Sequence, residues 1–217
     1  MKRVMFMVLA TILVSCGGNA PQNESEKTTS SNPEILQAKG NLEIWETCSD
    51  EENIVGIIDS IKRNENAAYL FNFQNNTQFA FVTREHLSRV KASFEKMTEE
   101  NKLPENIRFL FGLPRRDTVA IYLISASEPL LSGDHISTAR PKKTYPYYQV
   151  SMAFDAQGTK KWSQITRDNI GKQLAFSIDD WVYMCPFVTQ EITNGVASVF
   201  YDFTKEEAEH LSKVLKK

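Results

Sequence analysis

Glycine, cysteine and histidine are scarce in this chain of 217 residues, at 9, 3 and 3, and each scarcity removes a class of chemistry. The glycines are scattered and compose no phosphate-binding loop. His86, His135 and His210 show no H-x-x-x-H spacing, and no C-x-x-C pair accompanies them, so neither a metal site nor a cofactor is expected. A formal net charge of −2 supplies no strongly basic field, which argues against nucleic acid as a partner. The apolar run at Val4–Val14 falls far short of the roughly 20 residues that a spanning helix requires.

That run has a different use. Lys2 and Arg3 precede it and Leu13-Val14-Ser15-Cys16 ends it, giving the charged, apolar and small-residue order of a secretory signal over residues 1–15. The last four residues resemble a lipobox, so Cys16 is expected to become an acylated N-terminus that fastens the protein to a membrane without crossing it. Glycine at position 17, in place of aspartate, points to the periplasmic face of the outer membrane. Residues 16–40 are rich in Ser, Thr, Asn, Gln and Glu and nearly free of large apolar side chains, so a flexible tether is expected there. Cys48 and Cys185 remain as thiols in a compartment that permits a disulfide; two buried small apolar residues are the other reading.

Strand and helix periods alternate irregularly after residue 41. Strands are expected at 41–48, 67–73, 79–83, 107–111 and 119–125, with helices at 53–63 and 85–100. A loop follows at Pro141–Pro146, then a strand at Tyr148–Phe154. Asp155 reads as the N-cap of a helix carrying Trp162, Ile165 and Ile170 inward and closed by Gly171. Three strands follow, Gln173–Asp179, Trp181–Gln190 and Val196–Phe203, with solvated turns at Asp179-Asp180 and Asn194-Gly195. Thr204 and Glu207 make a capping box for a last helix with Ala208, Leu211, Val214 and Leu215 inward. The expected class is α+β, with antiparallel sheets, helices packed on one face, and two subdomains at 41–130 and 131–217.

Five segments, LLSGDHISTAR, DAQGTKKWSQITRDNIGKQLAFSID, VYMCPFV, EITNG and FTKEEAEHLSKVL, stand in the order and spacing of one family. They resemble the head of the periplasmic P1 region of SecD, the accessory subunit of the bacterial Sec translocase, in Bacteroidetes-type form. NLEIWETC and LPENIRFLFG are similar, more loosely, to the base of the same region. The resemblance implies a head that holds emerging, unfolded polypeptide. It departs at Asp180, where the family usually has glycine, and at Trp181, Phe200 and Tyr201, where polar or small residues are usual. SecD continues into membrane helices that use the proton gradient, whereas this sequence ends at Lys217, so energy-coupled transport by this polypeptide alone is not expected.

No catalytic residue is assigned and the protein is not expected to be an enzyme. Ser132, Asp134 and His135 lie too close together in sequence to converge as a nucleophile, base and orienter. The remaining candidate is apolar recognition by Trp181, Tyr183, Phe187 and Phe200 on an open sheet face or edge. For Trp181 and Phe200 burial in the core is an equal alternative, while Val182, Val199 and Phe203 read as core. The expected function is a lipid-anchored envelope protein that binds unfolded or extended polypeptide in protein export or quality control. The alternative is a scaffolding subunit that docks one folded envelope partner.

Overall fold

The computed structural model describes residues 31–48, 57 and 78–216. The signal, Cys16, most of the tether, the strand expected at 67–73 and, apart from the buried Ile57, the helix expected at 53–63 lie outside these residues.

Residues from Ser31 onward form one compact unit. Its described strands are β1 (Leu42–Glu46), β2 (Gln78–Thr83), β3 (Arg108–Gly112), β4 (Thr118–Ile124), β5 (Leu131–Ser132), β6 (Ile136–Thr144), β7 (Tyr147–Phe154), β8 (Leu174–Ile178), β9 (Trp181–Met184) and β10 (Val196–Phe203). Its described helices are α1 (Pro33–Leu36), α2 (Arg84–Glu99), α3 (Ala156–Asp168) and α4 (Lys205–Val214). Seven strands make one sheet in the order β2-β4-β3-β9-β8-β1-β5, and three make a second in the order β10-β7-β6. All pairs are antiparallel except β3 with β9. The α+β class with antiparallel sheets and helices is therefore what the chain adopts.

The helices form where local chemistry starts and stops them. The Asp155 carboxylate accepts the Gly158 N–H at 2.6 Å and opens α3. Thr204 and Glu207 exchange bonds as a complete capping box on α4. Val90, Phe94 and Met97 are buried along α2, Trp162 and Ile165 along α3, and Ala208 and Leu211 along α4. Ile170 is not inward: α3 ends at Asp168 and Ile170 is 53% exposed.

Four further expectations give way to the structure. Residues 31–40 are not tether. Asn32 caps α1, Ile35 is fully buried, and the Asn32 N–H donates to Glu207 Oε1 at 2.6 Å. One buried isoleucine suffices because α4 supplies the other half of the contact, which composition alone does not reveal. Gly40 sits at φ +90, where an added Cβ would lie 2.3 Å from the Val214 carbonyl oxygen.

The boundary at residue 130 is not a structural division either. Strands β8 and β9 lie in the large sheet between β1 and β3, so the two halves share backbone ladders. β6 runs on to Thr144, through the stretch read as a loop; Pro141, which has no N–H to offer, is tolerated because β6 is an edge strand. β9 ends at Met184, not Gln190. Pro186, with no N–H to give, interrupts the ladder; beyond it Phe187 bridges to Gln173 and Val188 bonds to Gly171 and Lys172 outside any regular strand. Cys48 and Cys185 are not bridged.

Candidate functional site

An apolar groove of about 330 Å³ lies along β10. β10 ends the three-stranded sheet, so its ladder partner β7 occupies one side and the other side is the groove. Trp162, Leu174 and Phe176 line it as buried apolar surface. Phe187 at 60% exposed, Phe200 at 54% and Val196 at 39% stand in solvent on its rim. Large apolar side chains left this open on one patch mark a recognition surface more often than scattered single ones do.

The opposite wall, the segment following β9, is held from both ends. Val188 N–H donates to the Lys172 carbonyl at 2.9 Å, and Val188 in turn accepts from Gly171 N–H at 2.8 Å. Further on, Ile192 N–H donates to Thr166 Oγ1 at 2.9 Å and the Ser163 hydroxyl donates to Glu191. Trp162 Nε1–H reaches the Val196 carbonyl at 3.3 Å, tying α3 to the start of β10. A wall fixed by backbone bonds loses little entropy on binding.

Met184 and Phe200 separate this groove from a second hollow of about 350 Å³, and both residues line both spaces. The Phe200 N–H points away from β7 and meets Met184 Sδ at 3.3 Å. The second hollow is aromatic and more polar, with Phe81, Tyr122, Tyr183, Tyr201, Arg115 and Cys185 among its residues. The Arg115 guanidinium lies 4.7 Å from the centre of the Tyr201 ring.

The four residues read from the sequence as a binding set fall in three places. Phe187 and Phe200 face one groove. Tyr183 is buried, its ring 6.3 Å from Tyr201 and 6.0 Å from Phe203, and burial pushes its phenol up. Its oxygen has no hydrogen-bond partner among the described residues. Trp181 is half-buried against both main cores, with Lys91 Nζ 4.9 Å from its ring, and it borders a different hollow beside Glu34, Asn41 and Asp180. Val182, Val199 and Phe203 are core, as the pattern predicts. Reading β9 through to Gln190 hides the groove, because it puts residues 186–190 in a ladder where the structure makes them a wall beside Trp162, Leu174 and Phe176. Pro186 was the available signal.

The polar residues weighed for chemistry are engaged in structure. His135 Nδ1 pairs with Asp155 at 3.3 Å and its Nε2 with Lys161 Nζ at 3.1 Å, while Ser132 reaches Asp134 at 3.4 Å. The Gly158 N–H, and secondarily His135, holds the Asp155 carboxyl below its usual range. His86 pairs with Thr83 and His210 with the Ala38 carbonyl. Among the described residues, no three His, Cys, Asp or Glu side chains group to hold a metal. Asp179 sits in the turn that the sequence predicts, and its carboxylate also accepts the backbone N–H groups of Lys39 at 2.6 Å and Asn41 at 3.1 Å.

Residues 112–217 match the family model of the SecDF P1 head subdomain. The chain is 29% identical over 133 residues to protein translocase subunit SecD of Calditerrivibrio nitroreducens, a span of 58% of this chain and 26% of that protein. It is 39% identical over 89 residues to protein translocase subunit SecDF of Thermus thermophilus, covering 41% of this chain and 12% of the relative. A solved structure of the membrane component SecDF that enhances protein export is 21% identical, covering 85% of this chain and 65% of that one at a TM-score of 0.46. The chain thus spans about a quarter or less of the length of these curated relatives.

Proposed function

Residues 112–217 form a SecD P1-like region, and from this we propose that the chain holds extended, unfolded polypeptide in the cell envelope, in a role accessory to protein export. The observation that carries the reading is the groove along β10, with Phe187 and Phe200 on its rim and Trp162, Leu174 and Phe176 beneath. An extended segment laid there would meet the unladdered edge of β10 with its backbone and place alternate side chains toward the apolar floor. About 330 Å³ is at the small end of ligand sites, which suits a few side chains of a passing chain better than a bulky folded partner. The kinship supports the export setting, since the relatives are protein translocase subunits.

The test is direct. The full chain should bind an unfolded, apolar fluorescent reporter peptide, read by anisotropy. Phe187→Ser together with Phe200→Ser should weaken that binding about 10- to 100-fold, as expected for losing half-exposed phenylalanine contacts. Tyr145→Ser, which removes an exposed ring elsewhere, should leave the affinity unchanged. Equal affinity in the double variant and its parent would sink the reading.

Cys16, within the same reading, carries the acyl chains that keep the module at the periplasmic face of the outer membrane. Cys16→Ser should move the protein from the membrane to the soluble fraction and abolish palmitate labelling. Processing of the precursor that is indifferent to globomycin would overturn this anchor.

A further inference from the structure

The β6–β7 hairpin carries basic side chains and no acidic ones. From His135 to Phe154, 20 residues include Arg140, Lys142 and Lys143 but no Asp or Glu, in a protein of net charge −2. All three cations are exposed, and none is ion-paired among the described residues. At the turn that joins the strands, Tyr145 is 83% exposed and Tyr147 half-buried behind it. Tyr145 therefore presents its ring to solvent at the hairpin tip.

Pairing places these groups around the tip. Arg140 lies opposite Ser151, Lys142 opposite Gln149 and Lys143 opposite Tyr148. Alternation along β6 sets Arg140 and Lys142 on one sheet face and Lys143 on the other. At about 3.4 Å per residue the cations stand roughly 7 to 17 Å behind Tyr145 along the strand. The polar layer on each side of a bilayer is about 5 to 8 Å deep, so Lys142 and Lys143 reach it when the tyrosine enters the interface, and Arg140, farthest back, reaches it as the hairpin leans onto the surface. Tyrosine favours that layer because its ring is apolar and its hydroxyl polar.

We propose that the β6–β7 hairpin is a membrane-surface contact that recognises anionic phospholipid headgroups, with Tyr145 entering the interface and Arg140, Lys142 and Lys143 meeting the phosphates. A polyanionic, deformable surface accommodates cations on both sides of a projecting ring. This contact does not depend on the β10 groove and takes a different ligand.

Flotation of the full-length Cys16→Ser chain with vesicles tests it, so that no acyl anchor contributes and the first thirty residues are identical in every arm. Binding to phosphatidylglycerol–phosphatidylcholine vesicles should exceed binding to phosphatidylcholine alone and weaken as salt rises. Arg140→Gln with Lys142→Gln and Lys143→Gln should lower partitioning onto the anionic vesicles about a hundredfold, from three surface-adsorbed cations. Tyr145→Ser, a single change at an exposed position, should lower it severalfold and covers the case in which the triple variant does not fold. Matching thermal melts check the fold of each. Peptide binding at the β10 groove should be unchanged in both variants. Equal binding to neutral and anionic vesicles, or equal partitioning of parent and variants, overturns the proposal. So does retention of the parent by polyglutamate without retention by vesicles, which would assign the hairpin to an acidic protein.

Discussion

Asp179 shows how much one side chain does in this fold. Its backbone holds φ +52, in the region that aspartate tolerates better than most residues. Its carboxylate gathers the Lys39 and Asn41 N–H groups together with Asn41 Nδ2 at 2.9 Å. Asp179→Ala should cost about 1–3 kcal/mol by leaving these donors without their charged acceptor, and hydrogen exchange should rise at residues 39–41. Cys185 gives a pH signature. Burial pushes its thiol up from 9.0 to about 12, because the thiolate would be stranded away from water. Its contribution is intact below pH 9.0 and is lost between 9.0 and about 12, where the unfolded chain has released a proton that the folded one still holds. Urea midpoints measured at about pH 8 and about pH 9.5 should differ more in the parent than in Cys185→Ala. The sequence identified Asp179-Asp180 as a turn but not as a receptor for residues 39–41, because the donors lie about 140 positions away.

Elements with strong local signals were legible. The capping box at Thr204, the N-cap at Asp155 and the apolar stripe of α2 place three helices within a residue or two of where they form. Elements decided by distant partners were not. α1 exists because α4 covers Ile35, and β6 exists because β7 pairs with it through a proline. The groove was half legible: Phe187 and Phe200 stood out as aromatics, but its walls come from a segment whose backbone bonds go to residues 171–172 and to α3. Docking of α1 against α4 is open to test at Gly40. Gly40→Ala adds a left-handed strain and a Cβ directed at the backbone of Val214, so a loss of about 2–3 kcal/mol is expected in chemical denaturation.

Sharing of one sheet by both halves sets the behaviour of the whole molecule. β8 is buried along all five residues and pairs with β1 on one side and β9 on the other, while β9 continues to β3. A fragment of residues 131–217 would expose the β1-facing edge of β8 and the β3-facing edge of β9, both apolar, and should aggregate or stay unfolded. A folded, monomeric fragment by size exclusion and circular dichroism would contradict this. Residues 32–41, meanwhile, are bonded to Glu207, Asp179 and His210 before the chain enters β1. Tension applied to residues 31–41 must therefore break that clasp before it strains the sheet, so such a load is absorbed at the collar and spares the β10 groove.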